Sequence, residues 1–292
     1  MFPLIAIVSL FSVSFAGFCM NLYLLVTFLS KVRVSSEFSK LCLAKTVPNM
    51  LVCSAFLFWC VSLSIFHVYI QQIPVFLGVL IGQIVGHGAY VSGPSIQLFM
   101  AINRCFSICF PFRKLPVRSS NITFVSLSIL FLVALAFTLR GVFPVSCGFF
   151  YDPQQFLWKT ADTECANAGE RLVALTVTCL AFASNSINFL IFFKLCYEKV
   201  SGLSSDALTT RRKRRVRLFI QSVCQDCLHL IDIINWRFIV HLNPVDWFEF
   251  VFVTMSLLTI HALDGFVMFY FHSELHPKFM RQSKSVPITI TG

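Results

Sequence analysis

"FMAINRCFSICFPFRK", Phe99–Lys114, closes a long apolar run that begins at Val75, and it sets an arginine, Arg104, where that run has not yet ended. A charge beside hydrocarbon is expensive, so it needs either an exit to water or a task. Arg104 lies about 30 residues into the run, or ~45 Å along a helix at 1.5 Å per residue, more than the roughly 30 Å of a bilayer core. Its side chain is therefore expected at the inner interface, where its plain use is as a snorkelling anchor.

Similar runs recur on both sides of this stretch. They cover Pro3–Leu29, Leu41–Tyr69, Val75–Ile108, Ile122–Val142, Leu172–Leu195, Leu218–Leu242 and Trp247–Phe271, each near or above the ~20 residues a spanning helix needs. With 12% charged residues and a mean hydropathy of +0.79, the 292-residue chain falls far below the roughly 25% charge of soluble domains. An all-α polytopic membrane protein is expected, residues 1–292 forming a single seven-helix domain with a short cytoplasmic tail, 273–292. The sixth run is the least apolar, interrupted by Gln221, Gln225, Asp226, His229 and Asp232. The first exceeds a signal-peptide core, lacks a basic leader and is followed by Lys31, Arg33 and Lys40, so it reads as a retained signal-anchor helix.

A net charge of +10 would suggest nucleic acid in a soluble protein, but here its distribution is what informs. With the amino terminus outside, the inner loops hold Lys31, Arg33, Lys40, Arg113, Lys114, Arg118, Lys199 and "RRKRRVR" (Arg211–Arg217), and the tail adds Lys278, Arg281 and Lys284. The outer loops hold Lys159, Arg171 and Arg237 among six acids. The positive-inside rule then predicts an extracellular amino terminus, and no nucleic-acid partner is expected. On that topology the sequon at Asn121 lies inside and stays unmodified.

Most of the twelve cysteines fall within apolar runs, where cysteine is usually a small buried hydrophobe. Cys147 and Cys165 fall in the second outer loop, an oxidising setting in which a disulfide between them is expected. Cys224 and Cys227 form a C-x-x-C without a second ligand pair, so neither a metal nor a cofactor is expected. Neither H-E-x-x-H nor G-x-S-x-G occurs, and no enzyme activity is expected. Pro94, after Gly93, removes a backbone hydrogen bond in the third run and predicts a kink, as Pro48 does in the second.

"AINRCFSICFPFRK" resembles the end of the third helix in nematode serpentine receptors, which carry N-R where most rhodopsin-like receptors carry D-R-Y. "LCLAKTVPN" (Leu41–Asn49), "CGFFYDPQQFLWKTADTEC" (Cys147–Cys165), "FIQSVCQD" (Phe219–Asp226) and "HALDGFVMFYFHSEL" (His261–Leu275) follow in matching order and spacing. Together they look most like serpentine receptor class X, G-protein-coupled receptors of rhodopsin-like type regarded as candidate chemoreceptors. The resemblance implies a small-molecule ligand outside, a heterotrimeric G protein inside, and a place in the plasma membrane, that of a sensory cilium included.

It also implies roles. Arg104 would be released on activation, as the sixth helix swings outward, to meet the G protein; Asn103 replaces the usual aspartate and offers no charge pairing. Arg214 and Arg215, in the basic run, fit G-protein contact, anionic-lipid contact and simple anchoring alike. Asn21, Asn49 and Asp264 resemble the family's interior switch network, with the carboxylate moved to the seventh helix; polar glue between helices is the plainer use. The seventh-helix N-P-x-x-Y is not reproduced: Gly265 stands for the proline and Met268 for the tyrosine.

Receptor pockets open at the outer half of the third helix, which makes Gln83 and His87, spaced i, i+4, and Tyr90 the ligand-facing candidates. His229 and Asp232 join them from the sixth run, where Gln221, Gln225, His229 and Asp232 share one face that fits pocket lining, ion binding and helix joining. No carboxylate occupies this half of the third run, which speaks against a biogenic amine, and no lysine in the seventh could carry a retinal Schiff base. An aromatic content of 15% suits an apolar odorant and lipid contact equally. Two other classes share the hydropathy: a seven-helix ligand-gated channel of inverted topology, opposed by the charge pattern, and a transporter using Asp226, Asp232 and Asp264 as proton or cation sites, opposed by the lack of repeated halves.

Overall fold

A computed structural model describes residues 2–31, 37–109, 119–200 and 206–272. Seven long helices follow in chain order: α1, Phe2–Lys31; α2, Glu37–Ala55 continued through Phe56–Cys60 and Val61–Ile65; α3, Val75–Cys109; α4, Ser119–Val142; α5, Glu164–Val200; α6, Asp206–Ile234 continued through Asn235–Ile239 and Val240–Leu242; and α7, Asp246–Phe271. Six of them, all but α6, are long and apolar enough to cross a membrane. The 29-residue α-helical part of α6 has the length but carries Gln221, Gln225, Asp226, His229 and Asp232, all of them buried. Its polarity faces the bundle, which is how a spanning helix carries such residues.

Lipid-facing surfaces are apolar. Leu4, Val8, Phe11 and Phe15 stand exposed along α1, Phe124 and Leu132 along α4, and Phe182, Phe189 and Leu190 along α5. Inside, α3 packs most extensively on α5, and α1 on α2 and α7. The α1–α2–α7 contact is close: a Cβ on Gly17 would meet Cys53 Sγ at 2.7 Å and Ala262 Cβ at 2.8 Å.

The helix ends differ from the sequence expectation in places. The second run ends at Ile65 rather than Tyr69, and His67 follows with a φ of 49°; the fifth extends to 164–200 because its first turns, though polar, are helical. Pro94, where a kink is expected, lies inside a helix that continues past it, and a π-helical turn, Ile84–Ala89, precedes it on α3. Similar turns occur at Phe56–Cys60, Asn235–Ile239 and Phe250–Met255.

Between α4 and α5 a β-hairpin caps one end of the bundle. Strand β1, Phe149–Asp152, pairs antiparallel with β2, Leu157–Thr160, Phe149 facing Thr160 and Asp152 facing Leu157. A Cys147–Cys165 disulfide ties its base, Cys165 lying in the first turn of α5 rather than in the loop. At its tip Phe156 has a φ of 60°, a left-handed conformation that side chains disfavour, and its carbonyl accepts a bond from Thr254 Oγ1 of α7 at 2.8 Å. The rings of Phe2 and Phe250 pack edge-on against Phe156. Tyr151 reaches Ser64 Oγ on α2 at 3.1 Å, and burial holds its phenol well above the ordinary tyrosine range, so it remains a neutral partner. Glycine at 82 lets β1 approach α3, because a Cβ there would lie 1.8 Å from the Phe149 carbonyl oxygen.

Candidate functional site

Under the hairpin, a cavity of about 410 Å³ opens among α3, α5, α6 and α7. His87 and Tyr90 of α3, Phe149 and Trp158 of the hairpin, and Asp232 and Trp236 of α6 form its inner walls. Asp232 is buried, and both its carboxylate oxygens accept hydrogen bonds: Oδ2 from the Tyr90 hydroxyl at 2.7 Å, Oδ1 from Ser256 Oγ at 2.6 Å. Glu170, Arg237, His241 and Glu249 also line the cavity, with Arg237 over the Trp236 ring, 5.1 Å from its centroid.

Three of the five ligand-facing candidates, His87, Tyr90 and Asp232, meet here, and Gln83 and His229 do not. Gln83 is buried against Gly141 of α4, and neither amide atom has a hydrogen-bond partner among the described residues. The reason is local: the π-helical turn between Gln83 and His87 is wider than an α-turn and breaks the i, i+4 alignment expected of them. His229 points into the bundle's polar centre instead.

That centre is organised by Lys45, which no pattern in the sequence singles out. Fully buried on α2, its ammonium donates to the Gly93 carbonyl of α3 at 3.0 Å and to His229 Nε2 of α6 at 2.9 Å, and it pairs with Asp264 Oδ2 of α7 at 3.4 Å. An ammonium has three protons and cannot accept, so these three contacts exhaust it and assign the acceptor role to His229 Nε2. Asp264 also accepts from Asn49 Nδ2 at 2.8 Å and from Gln225 Nε2 at 2.6 Å. Asn49 Oδ1 in turn lies 2.8 Å from His261 Nδ1.

Of the interior trio, Asn49 and Asp264 therefore touch. Among the described residues Asn21 joins through backbone, donating to the carbonyls of Gly17 at 2.9 Å and His261 at 3.4 Å. A second buried acid, Asp226, accepts from Ser184 Oγ at 2.9 Å and from Asn188 Nδ2, tying α6 to α5.

Arg104 lies at the opposite end from the hairpin. Its side chain is 3% exposed rather than extended to an interface, and none of its nitrogens has a hydrogen-bond partner among the described residues. The guanidinium sits over the Phe38 ring of α2, 4.8 Å from its centroid, and that ring stacks on His272. This aromatic contact, which apolar patterning cannot reveal, turns the side chain inward. Asn103 is half-buried, and its carbonyl accepts from Ser107 Oγ at 2.8 Å. The side chains of Arg214, Arg215 and Asn121 lie outside the described residues, as does the expected tail.

Along α3 and α6 the two ends are connected by polar rungs: Tyr90 to Asp232, Gly93 through Lys45 to His229, and Gln97 Nε2 to the Ser222 carbonyl and hydroxyl, each at 3.3 Å. No curated protein matches the chain. The sequence profile described as serpentine type 7TM GPCR chemoreceptor Srx matches residues 11–272. Seven helices around a buried polar core, a cavity under a disulfide-tied hairpin and a helix-3 arginine at the far end accord with that match, and the chain belongs to the Srx family of seven-transmembrane G-protein-coupled chemoreceptors.

Proposed function

We propose that the chain lies in the plasma membrane with its amino terminus and hairpin outside, binds an external small molecule in the cavity under the hairpin, and activates a heterotrimeric G protein through Arg104. It performs no catalysis. The observation that carries this reading is the pair of unlike ends joined by the α3–α6 rungs. A ligand seated against Tyr90 and Asp232 competes for the outermost rung and shifts α6 relative to α3. Activation is then a change in population between an arrangement with Arg104 folded onto Phe38 and one with Arg104 facing the G protein. Arg214 and Arg215, on the first turns of α6, would extend that inner surface.

Epitopes at both termini, stained with and without permeabilisation, test the orientation; nucleotide exchange on a purified G protein tests the output. An outside amino terminus and ligand-dependent exchange lost in Arg104→Ala are the expected results. An inside amino terminus refutes the mechanism, because Arg104 would then face away from the cytosol.

A further inference from the structure

The polarity of the cavity floor points to the ligand's charge. Asn235 Nδ2 donates to Ser256 Oγ at 3.1 Å, which commits the serine proton to Asp232 Oδ1. The Tyr90 hydroxyl donates to Oδ2. Every donor in this short network runs toward the carboxylate, the arrangement that suits an anion. A buried carboxylate also needs a positive partner, and among the described residues no cationic side chain forms an ion pair with Asp232. Arg237 shares the cavity but rests on Trp236, and Lys45 is fully engaged with Asp264, His229 and Gly93.

The walls around this acid are aromatic. Tyr90 and Trp236 meet edge to face with ring centroids 6.2 Å apart, and the stacked pair Phe149 and Trp158 covers them from the hairpin. The Trp158 indole N–H is buried without a hydrogen-bond partner among the described residues. Glu170 and Glu249 add negative charge to the lining, opposed by Arg237. An aromatic enclosure ending on an anion is a setting for a cation, through both the charge and the ring faces.

We infer that this receptor recognises an organic cation, a compact apolar or aromatic molecule bearing a protonated amine, with the ammonium on Asp232 between Tyr90 and Trp236. The carboxylate that α3 lacks is supplied by α6 from across the cavity. The inference rests on the proposed function only in taking this cavity as the ligand site.

The test uses the purified full-length chain in lipid nanodiscs and matched probes: phenethylamine, cyclohexylamine and hexylamine, each beside the alcohol of the same skeleton, with phenylacetate as the anion. Binding is read by tryptophan quenching and saturation-transfer NMR. At least one amine is expected to bind tenfold or more tighter than its alcohol, with that preference falling below threefold in Asp232→Asn and persisting in Tyr90→Phe, which keeps the acid. Alcohols or phenylacetate binding as tightly as the amines, or no amine binding at all, overturns the inference, and the wild-type comparison decides this even where Asp232→Asn fails to fold. Nucleotide exchange separates the two readings. Amine binding without exchange refutes the coupling mechanism and leaves the ligand class standing; exchange driven by a neutral or anionic compound and unaffected by Asp232→Asn does the reverse.

Discussion

Lys45 Nζ and Asp264 Oδ2 lie 3.4 Å apart in the middle of the bundle, joining α2 to α7 with neither side chain reaching solvent. Removing one member strands the other in a medium where an unpaired charge cannot be hydrated, a loss of about 3 kcal/mol or more. Lys45→Met and Asp264→Asn are each expected to lower the melting temperature of the purified receptor markedly. The double variant should lose clearly less than the sum of the two, since it leaves no orphan charge. Simple additivity in thermal unfolding would mean that the pair does not interact energetically.

Arg104 presents the opposite case. Its buried guanidinium contacts the Phe38 ring and has no hydrogen-bond partner among the described residues, so in this conformation it is held at a desolvation cost. Arg104→Met keeps much of the side-chain length and removes the charge. Unchanged or raised thermal stability is expected together with loss of G-protein activation and retained ligand binding. A stability loss comparable to that of Lys45→Met would show the arginine to be structural.

Phe38 holds that arginine inward, so Phe38→Ala is expected to raise basal nucleotide exchange several-fold without ligand. The double variant Phe38→Ala, Arg104→Ala should be silent. Basal activity that persists in the double variant would remove Arg104 from the pathway.

The Cys147–Cys165 disulfide closes a loop with a sequence separation of 18 around the hairpin. Chain-entropy reasoning assigns about 3 kcal/mol to a loop of this size. Cys147→Ser with Cys165→Ser should lower the melting temperature and raise the ligand's dissociation rate more than tenfold, because Phe149 and Trp158 of the cavity are carried on that loop. Dissociation kinetics measured on the variant and on the reduced wild type should agree.

Gly82→Ala and Gly78→Ala make a controlled pair on one helix. At 82 the new methyl would lie 1.8 Å from the Phe149 carbonyl oxygen, whereas at 78 it would meet only the Ile73 side chain at 3.4 Å. Alanine is otherwise the better helix former by roughly 1 kcal/mol. Gly82→Ala is expected to abolish surface expression, and Gly78→Ala to leave it unchanged or improved, as read by flow cytometry of an epitope-tagged receptor.

Much of this architecture is legible in the sequence. Each of the seven apolar runs falls on one of the seven helices, though several ends differ, and the i, i+3/i+4 spacing of Gln221, Gln225, His229 and Asp232 places all four on the buried face of α6. Lys45 is the least legible residue of the polar centre. Its nearest signal is local, one helical turn before Asn49 and so on the same face, but the partners that give it a role, His229 and Asp264, lie on α6 and α7, where no periodicity on α2 can indicate them. His261, set against Asn49 from α7, was missed for the same reason. The i, i+4 grouping of Gln83 with His87 holds only for regular α-helical spacing, which the π-helical turn between them breaks. The short hairpin strands carry no signal strong enough to stand out between long apolar runs.

The glycine at position 17 has a mechanical consequence. Where α1, α2 and α7 meet, Gly17 leaves no room for even a methyl group, which would fall 2.7 Å from Cys53 Sγ and 2.8 Å from Ala262 Cβ. Such a joint can neither slide nor re-register without a clash, so these three helices form a chassis. α6 is fastened to that chassis and to α3 by hydrogen bonds from Lys45, Gln97 and Gln225, contacts that can be traded for water or for one another. Three helices are thereby joined by close packing while α6 is held by exchangeable hydrogen bonds, the division that the proposed shift of α6 would need.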